Sequence, residues 1–352
     1  MVVLSGMADD LLLAQLLEGK VAALARAVSI VENGRAGFED LLAAVHPRLG
    51  RARRIGITGP PGAGKSTVTE RLVSAYRERD LRVAVVAVDP TSPFTGGALL
   101  GDRIRMEQIA LDPGVYIRSM ATRGSLGGLA TATREVCDVL DAAGYDRIVV
   151  ETVGVGQSEL DVARMADTTV LVLVPESGDG IQALKSGVME VADCFLVNKA
   201  DRPGADKVRR EVELALDLRM GKSLRNVPAH HGGPTRQAAL SASDDHAGPE
   251  GWRAPVLLSS ASKGDGIDEL LAAMDRHWEW MAANGELGRR RRQRLAQRTR
   301  EVVDRATRRW VWQESHAEEV IEARLDDVTA GELSPYALAA EIVATLKEGA
   351  RV

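Results

Sequence analysis

One stretch constrains this chain more than any other. Residues Gly59-Pro60-Pro61-Gly62-Ala63-Gly64-Lys65-Ser66 fit the spacing G-x-x-x-x-G-K-[ST] without a mismatch. They follow the apolar run RIGIT at 54–58 and open the amphipathic stretch STVTERLVSAYRER. A strand, a glycine-rich turn and a helix in that order form the start of a βαβ unit. The glycines let the main chain fold so that its N–H groups converge on one anion, and the helix N-terminus adds partial positive charge there. Gly59, Gly62, Ala63 and Gly64 are therefore read as a loop around a phosphate. Lys65 is expected to reach β- and γ-phosphate oxygens, Ser66 to offer its hydroxyl to Mg²⁺, and Thr67 to meet the α-phosphate.

The rest of the chain continues the alternation. VAVVAV (83–88), VYIRS (115–119), RIVVE (147–151), TVLVLV (169–174), CFLVN (194–198) and PVLLS (255–259) read as strands, with helices at about 65–79, 127–142, 156–166, 204–220 and 265–283. Most of these strands are continuous apolar runs, as in a parallel sheet covered on both faces. The pattern predicts a doubly wound α/β domain with a mostly parallel sheet over 51–284. An N-terminal helical segment over 1–50 precedes it, and a helical arm over 285–352 follows. Leu13, Leu17, Val21, Leu24, Val28 and Val31 recur at three- and four-residue steps and predict one helix over 8–33, closed by Asn33-Gly34. A short helix at about 38–45 ends before Pro47. After Gly288 the chain is expected to be helical again to about 325, and Ser334-Pro335 caps a last helix. Residues 229–251 have no periodicity and read as an exposed loop. Its His230-His231 pair, with Asp244, Asp245 and His246, fits no familiar metal-ligand spacing.

Composition narrows the partners. Lys plus Arg is 45 and Asp plus Glu is 50, a net charge of −5, which argues against a nucleic-acid binder. Arg289, Arg290, Arg291, Arg292, Arg294, Arg298, Arg300, Arg305, Arg308 and Arg309 cluster in the arm. Glu301 and Asp304 interleave with them, and 314–327 is acidic, so the cluster reads as a solvated or partner-facing surface. The two cysteines, Cys137 and Cys194, cannot form a disulfide framework and read as buried thiols. No apolar run approaches the ~18 residues that span a bilayer. The N-terminus has no basic region and meets Asp9 and Asp10 at once, unlike a secretory signal. A cytoplasmic protein without membrane contact is expected.

Acids at the ends of parallel strands point into the crevice where ligands bind. Asp89 ends one strand and Glu151 another. Either is a candidate for holding Mg²⁺, directly or through water. Asn198-Lys199-Ala200-Asp201 follows a later strand and has the form N-K-x-D. Guanine presents a ring N–H and an exocyclic amine on one edge, and the Asp201 carboxylate accepts both. Adenine lacks that pair of donors and leaves the carboxylate unsatisfied, a penalty of about 1–3 kcal/mol. The Lys199 stem covers a flat base, and Asn198 braces neighbouring loops. Ser260-Ala261-Ser262 follows the last strand and offers a backbone N–H, assigned to Ala261, to the guanine carbonyl. GTP and GDP are thus expected rather than adenine nucleotides.

Taken together, GPPGAGKST, VDPTSPFTGGALLGDRIRM, TRGSLGGL, ETVGVGQSE, GDGIQALKSGVMEVADCFLVNKAD and the Trp252-x-x-Pro255-Val256 run resemble the MeaB/ArgK family over about 10–350. These are P-loop GTPases that serve as chaperones of adenosylcobalamin-dependent methylmalonyl-CoA mutase. The resemblance implies that GGALLGDRIRM is switch I, with Asp102 near Mg²⁺. It implies that Glu151-Thr152-Val153-Gly154 starts switch II, with the Gly154 N–H sensing the γ-phosphate. Residues 176–187, with Asp179, Gln182 and Lys185, correspond to switch III, where Lys185 is a candidate to reach the phosphates. Gly180 stands where relatives often carry an acid. The arm would form a homodimer.

The reaction this implies is GTP + H₂O to GDP + phosphate. Gln157 lies three residues beyond Gly154, away from the position of a water-orienting glutamine in signalling GTPases, so slow, partner-stimulated turnover is expected. No cobalamin motif of the form D-x-H-x-x-G is present, which leaves that cofactor to the mutase, methylmalonyl-CoA mutase or a sibling acyl-CoA mutase. A nickel-insertion type GTPase and a transporter-associated protein kinase are the alternatives.

Overall fold

The apolar runs line up as one parallel sheet. The computed structural model describes residues 2–89, 106–121, 128–152, 158–175, 187–219 and 251–349. Its strands are β1 (Arg53–Thr58), β2 (Val83–Asp89), β3 (Val115–Ala121), β4 (Arg147–Thr152), β5 (Thr168–Leu173), β6 (Cys194–Val197) and β7 (Val256–Leu258). They pair in the order β3-β2-β4-β1-β5-β6-β7, and every pairing is parallel. The chain divides into two compact units, Met1–Leu287 and Gly288–Val352.

In the first unit the helices are α1 (Val2–Leu17), α2 (Val21–Glu32), α3 (Phe38–Val45), α4 (Lys65–Glu78), α5 (Glu107–Ala110), α6 (Gly128–Ala142), α7 (Ser158–Met165), α8 (Ala205–Arg219) and α9 (Ile267–Ala283). Side chains alternate across each strand, so a continuous apolar run feeds two cores. Ile55, Ile57, Val85, Val149, Val170 and Val172 pack with Val68, Leu72 and Tyr76 of α4 and with Leu270 and Met274 of α9. On the other face Ala84, Val86, Ile148 and Val150 pack with Val136 and Leu140 of α6, Val162 and Met165 of α7, and Leu24, Val28 and Val31 of α2. Leu171, Leu173, Phe195 and Val197 pack with Val212 of α8. Gly56 sets the closest approach on β1. A Cβ there would lie 2.6 Å from Val162 Cγ1 and 3.1 Å from Ala166 Cβ.

One helix prediction is corrected. The single helix over 8–33 is two, α1 and α2. Gly19 takes φ 78°, the Gly19 N–H donates to Leu16 O and the Lys20 N–H to Gln15 O, both at 3.0 Å. That pairing is the Schellman helix stop, which only a residue without Cβ adopts cheaply. The apolar spacing continues across the break because α1 and α2 bury their faces in the same region, which hid the stop.

The second unit holds most of α10 (Glu286–Arg309), then α11 (Ala317–Thr329) and α12 (Pro335–Gly349). The helical stretch expected to about 325 is interrupted by a π-helical turn over Trp310–Glu314. There the Ser315 N–H donates to Trp310 O at 2.9 Å, and Ser315 Oγ accepts from the Ala317 N–H at 3.3 Å. Ser334 Oγ accepts from the Ala337 N–H at 3.1 Å and caps α12. Ala317, Leu338 and Ile342 form this unit's small core.

Candidate functional site

The site lies at the carboxyl ends of β1, β4, β5 and β6. Leaving β1, the chain turns at Gly59 (φ 139°), where a Cβ would stand 2.1 Å from Val172 O. It turns again at Gly64 (φ 86°), where a Cβ would stand 2.5 Å from Asn198 Nδ2. Both positions exclude any other residue, on backbone conformation and on space. α4 then starts at Lys65, with no side chain capping its N-terminus. Lys65 is only 6% exposed, and its Nζ donates to Gly59 O at 2.9 Å and Pro60 O at 3.0 Å. These carbonyls satisfy an ammonium that would be costly to bury alone. Gly62 lies in the loop with open space at its Cα, and Thr67 is half-buried in the first turn of α4.

Glu151, near the end of β4, is buried beside that turn. Its Oε1 accepts from Ser66 Oγ at 2.6 Å and its Oε2 from Thr69 Oγ1 at 2.8 Å. Ser66 and Glu151, each expected at Mg²⁺, are thus joined by one direct hydrogen bond, and Thr69 joins them. With its proton given to Glu151, the Ser66 oxygen keeps its lone pairs for a cation. A hydroxyl and a carboxylate side by side form a hard, all-oxygen donor set of the kind Mg²⁺ takes. Asp89 closes β2, next to β4 in the sheet, and its side chain lies outside the described residues. Asp102, Gly154, Gln157, Asp179, Gly180, Gln182, Lys185 and the His230-His231 pair also lie outside them. Among the described residues, no group of three or more His, Cys, Asp or Glu is placed to hold a metal ion.

On the other flank Asn198 follows β6 and is buried. Its Nδ2 donates to Ala63 O at 2.8 Å, and its Oδ1 accepts from the Ala261 N–H at 3.1 Å. One amide thus joins the glycine-rich loop to the turn after β7. The Ala261 N–H, assigned from the sequence to a base carbonyl, is bound to Asn198 in this structure. Lys199 takes φ 57°, and the Ala200 N–H donates to Ser259 O at 2.9 Å. Asp201 is partly exposed. Its N–H donates to Ser260 Oγ at 3.2 Å, Ser260 Oγ donates back to Asp201 Oδ1 at 3.3 Å, and Lys263 Nζ stands 3.6 Å from Oδ2. Its own main-chain N–H, and beyond it the Lys263 ammonium and the Ser260 hydroxyl, hold the Asp201 carboxyl below the usual carboxylate range. An anion that accepts at this edge suits a base with two adjacent donors.

Sequence reasoning missed two members of this constellation. Thr69 is one. The other is Arg71 of α4, whose Nε donates to Ala261 O and whose NH2 donates to Ser262 O, each at 3.0 Å. Nothing in the motif spacing marks Arg71, because its partners are backbone atoms 190 and 191 residues away.

Comparison with known proteins identifies the family. A family model described as methylmalonyl-CoA mutase-associated GTPase MeaB matches residues 24–316. A protein of Pyrococcus abyssi named as a GTPase is 46% identical over 294 residues, 84% of this chain and 83% of its own length. GTPase ArgK of Escherichia coli is 36% identical over 297 residues, 82% of each chain. The mouse methylmalonic aciduria type A homolog, a mitochondrial protein, is 35% identical over 299 residues, 80% of this chain and 66% of that one. The crystal structure of a LAO/AO transport system kinase superposes with a TM-score of 0.64 at 28% identity, covering 97% of this chain and 98% of the other. Among the described residues no helix is long and apolar enough to cross a membrane. A seven-stranded parallel P-loop core and a family match over most of its length make this chain a member of the MeaB family of methylmalonyl-CoA mutase-associated GTPases.

Proposed function

We propose that this GTPase is a nucleotide-driven chaperone that assists loading and protection of an adenosylcobalamin-dependent methylmalonyl-CoA mutase or a sibling acyl-CoA mutase. It works as a cytoplasmic homodimer through the arm at 285–352, with slow turnover that the mutase stimulates. One observation carries the nucleotide half of this reading. Asn198 ties Ala63 of the phosphate loop to Ala261 of the base turn. The mutase half rests on the family's description.

The chemistry follows from the residues. The main-chain N–H groups of 62–66 and the Lys65 ammonium hold the β- and γ-phosphates, with Lys65 exchanging its two loop carbonyls for phosphate oxygens. Asp201 accepts from the guanine ring N–H and amine, and the Lys199 stem covers the base. Ser66 would hold Mg²⁺, with Glu151, Asp89 and Asp102 as the surrounding acids, and the bound ion would supply charge neutralisation at the phosphoryl group. Water attacks the γ-phosphorus, the bond to the β-γ bridging oxygen breaks with its electron pair leaving on GDP, and the water's proton passes to the released phosphate and solvent. Glu151 orients Ser66 throughout by accepting its proton in a hydrogen bond. Gly154 and Lys185 sense and reach the γ-phosphate, so segments 95–105 and 176–187 differ between GTP and GDP states. The mutase distinguishes those states by its affinity for each.

Co-purification with the mutase, in GDP and in a non-hydrolysable GTP analogue, tests the proposal. Recovery that depends on the nucleotide is expected. Equal recovery with both, or none with either, removes the chaperone assignment. The name of the similar transport-kinase structure carries a second reading, transfer of the γ-phosphoryl group to a protein. Free phosphate release without labelled protein from γ-labelled GTP separates the two.

A further inference from the structure

The turn that carries the base-recognition amides is tied to the phosphate side by two side chains, Asn198 and Arg71. Residues 259–266 close on themselves. The Ser260 N–H donates to Asp265 O at 3.1 Å, Ser259 Oγ to the same oxygen at 2.9 Å, the Lys263 N–H to Ser260 O at 2.8 Å, and the Gly264 N–H to Ala261 O at 3.1 Å. Gly266 (φ 79°) completes the ring, where a Cβ would stand 2.2 Å from Leu258 O. Two links tie this ring to the phosphate side. One is Asn198, which takes the Ala261 N–H. The other is Arg71, six residues after Lys65 on α4, with one guanidinium on two successive carbonyls, Ala261 O and Ser262 O.

The chemistry of that second link is specific. A cation donating to a carbonyl polarises the whole peptide unit and makes the N–H at its other end a stronger donor. The peptide units Arg71 grips end in the Ser262 and Lys263 N–H groups. The Lys263 N–H is spent on Ser260 O, and the Ala261 N–H on Asn198. The Ser262 N–H has no partner among the described residues, which leaves it as the polarised donor of this turn.

We propose that Arg71 is a positioning residue for base recognition. It locks the 260–262 turn to the phosphate-binding helix and strengthens the Ser262 N–H as donor to the guanine 6-carbonyl. This rests on the guanine-nucleotide reading above. It assigns the carbonyl edge of the base to the Arg71-held turn and the amine edge to Asp201, so the two edges fail separately.

The test is equilibrium titration of wild type, Arg71→Ala and Arg71→Lys with GDP, inosine diphosphate and 2,6-diaminopurine riboside diphosphate. Inosine lacks the 2-amine and reports on Asp201. Diaminopurine keeps the 2-amine, replaces the 6-carbonyl by an amine and lacks the ring N–H; the loss of that N–H at Asp201 is common to wild type and variant and cancels when their preferences are compared. Arg71→Ala is expected to weaken GDP by about tenfold and to narrow the preference for GDP over diaminopurine. Its preference for GDP over inosine diphosphate stays at the wild-type value. Arg71→Lys, whose ammonium still serves a carbonyl, recovers part of the loss. A structural role alone would lower affinity for all three ligands in proportion, and that result overturns the proposal. Unchanged GDP affinity in Arg71→Ala also overturns it. Wild type that binds no guanine nucleotide overturns the guanine reading itself.

Discussion

The side-chain amide of Asn198 donates to the Ala63 carbonyl at 2.8 Å, from a position 135 residues further along the chain. The same amide accepts from Ala261. Removing it in Asn198→Ala leaves a buried C=O and a buried N–H without partners, at about 1–3 kcal/mol each. GDP affinity is expected to fall at least about tenfold, measured by fluorescence titration, because both ends of the nucleotide site lose register.

Asp201 sets the base. In Asp201→Asn the carboxamide offers a donor where the carboxylate accepted, so guanine loses a partner and xanthine, with a carbonyl at position 2, gains one. Competition binding is expected to show GDP weakened and xanthosine diphosphate strengthened. The Asp201 carboxyl is held below the usual range, so its contribution to binding is present above the ordinary carboxylate pKa and is lost as the pH falls through the lowered value. GDP affinity should therefore stay level from neutral pH down to about 5.

Glu151 accepts from both Ser66 and Thr69. Glu151→Gln keeps the shape but can accept from only one of them. Single-turnover GTP hydrolysis with Mg²⁺ is expected to fall by about a hundredfold, while GDP binding in a chelator is unchanged.

Packing is separable from the site. Gly56→Ala puts a methyl 2.6 Å from Val162 Cγ1. It is expected to cost about 2 kcal/mol, about 5 °C in Tm by calorimetry, with GDP affinity retained in the folded protein.

The thiols report on the two cores, Cys137 on one face of the sheet and Cys194 on the other. Burial pushes the Cys137 thiol up to about 11 and raises Cys194 as well. Stability from keeping these thiols neutral is full below the unfolded thiol pKa and is lost as the pH rises through the folded value. Neither cysteine should react with a disulfide reagent at about pH 8 until denaturant is added, after which both titrate.

Much of this was legible in the residues. Strands of the sheet carry β-branched runs, and the phosphate loop needs glycine at 59 and 64 for reasons of conformation and space, so its pattern survives in one dimension. Helix stops were harder to see. Gly19 ends α1 inside an unbroken apolar spacing, and Ser315 breaks the arm after a π turn with no proline to announce it. Contacts made to backbone atoms, such as Arg71 on Ala261 and Ser262, leave no residue-type signature on the acceptor side. The Ala261 N–H was assigned to the base because the turn's position was readable, whereas its capture by Asn198 depends on distances that only the fold supplies.

Titration of the purified protein with GDP and with ADP, each with magnesium, tests the central claim most directly. Saturable GDP binding is expected, with ADP at least about a hundredfold weaker. Binding of neither, or equal affinity for both, contradicts a site whose base edge is the Asp201 carboxylate and whose phosphate cradle is 59–67.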